Sequence, residues 1–300
     1  MQAPLSIPSQ ECALLVLSCD AYADLWPPFF NLLRRHWPDC PFPIFLGAGE
    51  AAIAPPGITC LQSNGGKDWS RCASDYLEAL PHEHILVMLD DFFLRRRVQT
   101  IRILECLRFA KTHDATQLRL IPRPKPTNRL PEQTNIGSCA VGSPYRLSTQ
   151  AAIWNRRKLH ALLREHESIW EFEMNGNLRA NASPDGFFSV RRGVLPYEGL
   201  FAHHVIEKGK WLPHERWIFQ RQLIGCDFSR RSALPLGQTM IYQAAQTLNE
   251  SLNWLPWRWK AGLLRKARRV LQPVLGRQFS QLRGDKLRLN TPQTRDQGKI

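Results

Sequence analysis

Asp90 and Asp91 stand directly after five unbroken apolar residues, Ile85 to Leu89, and directly before Phe92, Phe93 and Leu94. Such a run is the mark of a strand buried on both faces, as in a parallel sheet covered by helices. In open α/β sheets, ligands bind beyond the carboxyl ends of the strands. Two carboxylates at that place make a hard, oxygen-rich site suited to Mg²⁺ or Mn²⁺ bridging a diphosphate. Strand side chains alternate, so both can serve one face only if the strand has ended before them. The plain alternative is a solvated strand end with a helix cap.

Other groupings carry chemistry of their own. Glu171 and Glu173 are interleaved with Trp170 and Phe172. Apolar neighbours raise a carboxyl pKa toward the range of a useful base, and aromatic rings stack on sugars. His203-His204 is followed closely by Lys208-Gly209-Lys210-Trp211. Asp20 and Tyr22 close the first apolar run, and Arg71 falls just after Asp68-Trp69-Ser70, at an expected helix N-terminus. Each has an ordinary reading as well: a helix-end charge for one of the glutamates, core for Tyr22, solvated charge for Arg71.

The elements that would position these residues alternate. Ala13–Ser18 reads as a strand, followed by a helix capped by Asp24 and carrying Phe29, Phe30, Leu33 and Trp37. Pro43–Leu46 and Ile58–Leu61 are short strands. Ser70 is expected to cap a helix with Ala73, Tyr76, Leu77 and Leu80 on one face. After the aspartates, Val98–Thr112 reads as a helix with Ile101, Leu104, Cys106 and Leu107 inward. Gln117–Ile121 and Gln150–Trp154 are strands, and Asn155 caps a helix carrying Leu159, Leu162 and Leu163. Pro122 to Pro131 reads as a proline- and cation-rich loop leading into polar residues 132–138, with Arg123 and Lys125 as candidates for a lid. No period is evident from Gly193 to Leu223. Strands alternating with helices predict a mostly parallel, doubly wound α/β sheet.

Eight cysteines without a CxxC pair argue for free thiols, a reducing cytoplasm and no zinc site. No run is long enough to span a membrane. The formal charge is +14, and residues 251–300 hold 12 Lys/Arg against 2 Asp/Glu, so the other 250 residues are close to balanced. The basicity belongs to the tail.

The ordered features LLVLSCDAY, DWS, ILVMLDDFFL, QAAIWNRRKLHALLREHESIWEFE and HHVIEKGKW resemble bacterial GT-A-type glycosyltransferases of polysaccharide and lipopolysaccharide gene clusters, over roughly residues 12–220. The resemblance implies a GT-A-like fold with a Rossmann-like nucleotide half and an acceptor half. It also implies a nucleotide-sugar donor, a saccharide or lipid-linked saccharide acceptor, and Mg²⁺ or Mn²⁺. The family motif is Asp-X-Asp, whereas this chain has Asp90-Asp91-Phe92. On this reading Asp90 meets sugar or ribose hydroxyls, Asp91 holds the metal and His204 completes its shell. Asp20 and Tyr22 meet the ribose and base, while Arg71 and Lys208 reach the phosphates. Transfer also needs a carboxylate to take the acceptor's proton if the enzyme inverts, with Glu173 preferred over Glu171.

Residues 1–250 are expected to form the glycosyltransferase domain, 251–283 a basic, tryptophan-rich amphipathic segment, and 284–300 a disordered tail. Trp254, Trp257 and Trp259 precede an apolar stripe through Leu263, Leu264, Ala267, Val270 and Leu271, with cations opposite. That pattern suits an anionic membrane surface contacted through 252–271, on the cytoplasmic side. A nucleic-acid partner is not expected, because the domain itself is near charge balance. Nucleic-acid binding by the tail and a non-catalytic GT-A-like scaffold are the competing readings.

Overall fold

The computed structural model describes residues 11–49, 55–183, 185–197, 204–207, 209–222 and 224–251. Lys208, His203 and the whole tail from 252 lie outside them. The chain divides into two units, residues 1–244 and 245–300, and the account below concerns the first.

The elements in chain order are β1 (Cys12–Leu17), a 3₁₀ turn (Asp20–Leu25), α1 (Trp26–His36), β2 (Ile44–Gly47), β3 (Thr59–Leu61), α2 (Trp69–Ala79), β4 (His84–Leu89) and α3 (Thr100–Thr112). Then come β5 (Gln117–Arg119), β6 (Asn128–Leu130), β7 (Gln133–Ser138), β8 (Ala152–Asn155), α4 (Arg156–Leu162), α5 (Ile169–Ala180) and β9 (Phe187–Val190). A small hairpin, β10 (Ile206–Glu207) and β11 (Lys210–Trp211), precedes α6 (Pro213–Gln220) and α7 (Leu236–Ser251).

The nine strands β1 to β9 form one sheet in the order β3-β2-β1-β4-β8-β5-β9-β7-β6. β1, β2, β3 and β4 are mutually parallel, as the alternating strand–helix pattern predicts. β8 runs against both of its neighbours, β4 and β5. β9 is parallel to β5, and β7 and β6 form an antiparallel edge. The result is a mixed, mostly parallel sheet flanked by helices, broadly Rossmann-like.

The apolar run of β4 is buried on both faces. Leu86 and Met88 pack with Leu14 and Val16 of β1 beneath Phe29 and Phe30 of α1 and Ile103 and Leu107 of α3. Ile85 and Val87 pack on the other side with Leu15, Tyr76 and Leu77 of α2, Leu159 of α4 and Phe172 of α5. Side chains of period 2 therefore feed two separate cores.

Several local expectations are corrected. Asp68, not Ser70, is the N-cap of α2: its Oδ1 accepts from Arg71 N at 3.1 Å and from Ser70 Oγ at 2.7 Å. Asp24 does not cap α1, whose N-cap is Leu25. In α3, Ile101 is half exposed while Ile103, Phe109 and Ala110 face the core. The stretch read as a loop through residue 138 contains the β6–β7 edge hairpin. Gly137 is needed there, because a Cβ would lie 2.3 Å from the Asn128 carbonyl oxygen. Asn155 does cap α4, accepting from Lys158 N at 3.1 Å. All eight cysteines are free, with Cys12, Cys106 and Cys139 buried and Cys19 exposed. Among the described residues, no helix is long and apolar enough to cross a membrane.

Candidate active site

The parallel pairing of β1 with β4 sets Leu17 opposite Leu89, so Ser18 and Asp90 emerge side by side at the carboxyl ends of the two central strands. Ser18 Oγ donates to Asp90 Oδ2 and accepts from Trp26 Nε1 at 2.6 Å. A single hydroxyl thus ties a buried carboxylate to a buried indole at the head of α1. Burial and the neighbouring Asp91 push the Asp90 carboxyl well above the usual carboxylate range, against the opposing pull of Ser18 and Arg231.

Asp91 is half-buried, and its Oδ1 is buried with no hydrogen-bond partner among the described residues. Burial pushes its carboxyl up to about 6, with His204 acting in the opposite direction. The Asp91 carbonyl accepts from Val205 N at 3.1 Å, which pins the approach to β10 against the strand end. His204 Nε2 lies 3.1 Å from Glu207 Oε2. Burial alone would lower the imidazole pKa, but Glu207 and Asp91 outweigh it and hold it above its ordinary value. Asp91, His204 and Glu207 therefore share one electrostatic neighbourhood.

The third component is Arg231, which no sequence signal marked. Its guanidinium grips Asp24 at 2.7 and 2.6 Å, donates to the Ala21 carbonyl, and lies 4.3 Å from the Tyr22 ring centroid. It also reaches the Gly209 carbonyl in the β10–β11 turn, at 3.3 Å. Both partners of the Arg231–Asp24 pair are largely shielded from water. Burial and Asp91 raise the Tyr22 phenol above its ordinary value, so Tyr22, Arg231 and the two aspartates share one electrostatic neighbourhood. Asp20 sits at the exposed rim, accepting from Gly49 N at 3.1 Å. A Cβ on Gly49 would fall 2.1 Å from Asp20 Oδ2, so the contact requires glycine.

Arg71, Glu171 and Glu173 have partners outside this cluster. Arg71 pairs with Asp75 at 3.1 Å and Glu165 at 3.6 Å. Glu171 is the N3 residue of a capping box on α5: it accepts from Ser168 N at 2.8 Å while Ser168 Oγ accepts from Glu171 N at 3.3 Å. The Ser-x-x-Glu signature for that cap was present in the sequence. Glu173 is buried and accepts from Ser148 Oγ, Thr149 N and Thr149 Oγ1 at 3.1, 2.9 and 3.0 Å. It thereby fixes the turn that enters β8, at the end of the sheet where β4 finishes. The expected aromatic wall does not form: Trp170 is 61% exposed, whereas Phe172 is 1% exposed and faces Trp69 in the core. The space beneath Thr149 and Phe172 is about 20 Å³, room for about one water and none for a sugar ring.

Among the described residues no group of three or more His, Cys, Asp or Glu could hold a metal ion. Mg²⁺ is commonly bound by one or two carboxylates plus substrate phosphates, and the unpartnered oxygen of Asp91 suits that pattern. His204, expected to complete the metal shell, has its Nε2 turned to Glu207 Oε2 at 3.1 Å.

No family model matches the chain, and no curated protein matches it. Solved structures do. Residues 1–349 of S. aureus TarS align at 10% identity and TM-score 0.42, over 62% of this chain and 59% of that one. The galactosyltransferase LgtC, in complex with donor and acceptor sugar analogs, aligns at 10% identity and TM-score 0.38, over 75% of this chain and 98% of that one. The longer S. aureus TarS structure aligns at 11% identity and TM-score 0.37, over 81% and 43%. This chain thus spans about three fifths of the shorter TarS chain. The likeness is weak and low in identity, and nothing about this chain is drawn from it.

Proposed function

We propose that the chain is a glycosyltransferase that moves a sugar from a nucleotide-sugar donor to a saccharide or lipid-linked acceptor in cell-surface polysaccharide synthesis. The observation that supports this most is the Asp90–Asp91 pair at the carboxyl end of β4, beside that of β1, with a buried Asp91 carboxylate oxygen that has no hydrogen-bond partner among the described residues. A buried unpaired polar atom costs free energy, so a site that keeps one gains from a ligand that satisfies it. In the reading offered here, Asp90, held by Ser18, meets donor hydroxyls. Asp91 would hold Mg²⁺ or Mn²⁺, which when bound neutralises the developing charge on the diphosphate leaving group. His204 and Arg231 balance the carboxylates, and Tyr22 and Asp20 line the nucleoside side. Lys208 is kept as a phosphate ligand and Glu173 as the acceptor base. Arg71, already between two carboxylates, is the weakest member.

Thermal unfolding with UDP, GDP, CMP and dTDP, each with and without Mn²⁺, tests the donor site. A ligand at 100 times its Kd adds about 2.7 kcal/mol. One nucleotide should stabilise the wild type with metal and leave Asp91→Ala unmoved. Silence from all of them removes the proposal. Glu173→Gln should keep that nucleotide response and lose transfer; retained transfer removes Glu173 as base. For the membrane contact, replacing Arg265, Lys266, Arg268 and Arg269 with glutamine in the full chain should release it from anionic vesicles. Undiminished vesicle binding rules that contact out.

A further inference from the structure

A second site lies across the sheet from the aspartates. A cleft of about 710 Å³ is lined by Arg102, Lys125, Arg129, Arg191 and Arg192, and no carboxylate lines it. None of the five cations makes an ion pair among the described residues. Residues 1–250 are close to charge balance, so five cations without an acid are a local concentration rather than a share of a general excess. Like charges held together cost free energy unless an anion joins them.

The cleft is also built. Arg192 N donates to Asn135 Oδ1 at 2.9 Å and the Arg192 carbonyl accepts from Asn135 Nδ2 at 3.3 Å. Arg191 Nη1 donates to the Thr134 carbonyl at 3.2 Å. The β6–β7 hairpin and the end of β9 are thereby locked into one wall.

Its position relates it to the donor crevice. Leu86, Ile153, Leu118 and Phe188 form one row across β4, β8, β5 and β9. Four residues further along, β4 reaches Asp90 and the chain of β9 reaches Arg192, because those two strands run the same way. Three strand spacings separate them, about 14 Å at about 4.8 Å each. A short oligosaccharide covers that span and a single sugar does not.

We infer that this cleft holds the acceptor, and that the acceptor is an anionic saccharide bearing phosphate or carboxylate groups along its chain. The inference rests on the reading of the Asp90–Asp91 crevice as the donor site. Thr127, Asn128, Thr134 and Asn135 offer hydroxyl and amide groups to sugar hydroxyls. No aromatic ring lines the cleft on which a base would stack, as single-stranded nucleic acids require. Its volume is that of a small-ligand pocket.

The test uses the full chain without donor, so it reads the cleft whether or not the nucleotide experiment succeeds. Fluorescently labelled oligouronide, a phosphodiester-linked sugar oligomer, a neutral glucan of equal length and single-stranded DNA of equal charge are titrated by anisotropy. The wild type is compared with Arg129→Ala/Arg192→Ala, two exposed positions. The basic tail is common to both proteins, so their difference isolates the cleft. The variant should lose about 5- to 30-fold in affinity for one or both anionic saccharides, as expected for two partly screened cation contacts. The anion that loses more is the acceptor's. An unchanged affinity, an equal loss for neutral glucan, or an equal loss for DNA overturns the inference.

Discussion

Replacing Ser18 with alanine should be one of the most costly small changes in the unit. The Ser18 hydroxyl serves two buried groups at once, Asp90 Oδ2 and Trp26 Nε1. Asp90 is 6% and Trp26 5% exposed, so water cannot readily take its place. Leaving a buried polar group unpaired costs about 1–3 kcal/mol, and more for an ionised one. Orphaning two of them predicts a loss of about 2–6 kcal/mol. For a unit of this size 1 kcal/mol shifts Tm by about 2–4 °C, so the melting temperature should fall by about 4–24 °C. Circular dichroism is the suitable readout, because the companion variant Trp26→Phe changes the fluorescence. Trp26→Phe alone should cost about 1 kcal/mol, and the double variant should fall short of the sum by a further fraction of that, since Ser18→Ala no longer strands an indole N–H. A Tm loss under about 2 °C in Ser18→Ala, or strict additivity in the cycle, would refute the relay.

Asp68→Ala should destabilise by about 1 kcal/mol through loss of the α2 cap. Desolvation opposes ionisation of Asp68, but hydrogen bonds from Ser70, Arg71 and His166 overcome it and hold the carboxyl down to about 2. Its folded pKa is depressed, so its contribution is complete above the ordinary aspartate value and fades as pH falls through about 2. Wild-type and variant urea midpoints should therefore converge in acid. Arg231→Ala should cost about 3–5 kcal/mol by stranding Asp24 in a shielded site, and Arg231→Lys should recover only part of it for want of a bidentate fork; chemical denaturation measures both. Gly49→Ala should leave Tm nearly unchanged, because the exposed Asp20 side chain can swing away from the new Cβ, yet weaken the nucleotide's thermal shift. Glu171→Ala should lower the melting temperature slightly, through loss of the capping box, and leave that shift intact.

Local patterns were legible where a local pattern existed. The run Ile85–Leu89 has no alternation because both faces are buried, and that alone located the central strand and the aspartates at its end. Asn155 announced its helix because its cap partner, Lys158 N, is three residues away. Arg231 left no trace, since its partner Asp24 is 207 residues earlier and neither neighbourhood has a period. Asp24 looked like a cap for want of any visible partner. The β6–β7 hairpin was hidden because it is a largely exposed edge, where Asn128, Arg129, Gln133 and Thr134 need no apolar alternation. The direction of β8 was equally closed to sequence reading: a buried run such as Ala152–Trp154 looks the same whichever way it points. Ser168 and Glu171 carry a readable cap signature, and Glu171 is the glutamate that takes the expected helix-end place.

The Arg231–Asp24 pair also bears on the order in which the molecule can be completed. During synthesis the amino-terminal strands and helices leave the ribosome first and can begin to pack. Asp24 and Tyr22 then wait for a cation that is made only after more than two hundred further residues. Until it arrives, the turn between β1 and α1 carries an acid that prefers water, and the floor beside Asp90 and Asp91 stays open. The crevice thus stays incomplete until residue 231 has been made. A chain interrupted before residue 231 would possess both aspartates and most of the sheet, and still lack a settled site around them.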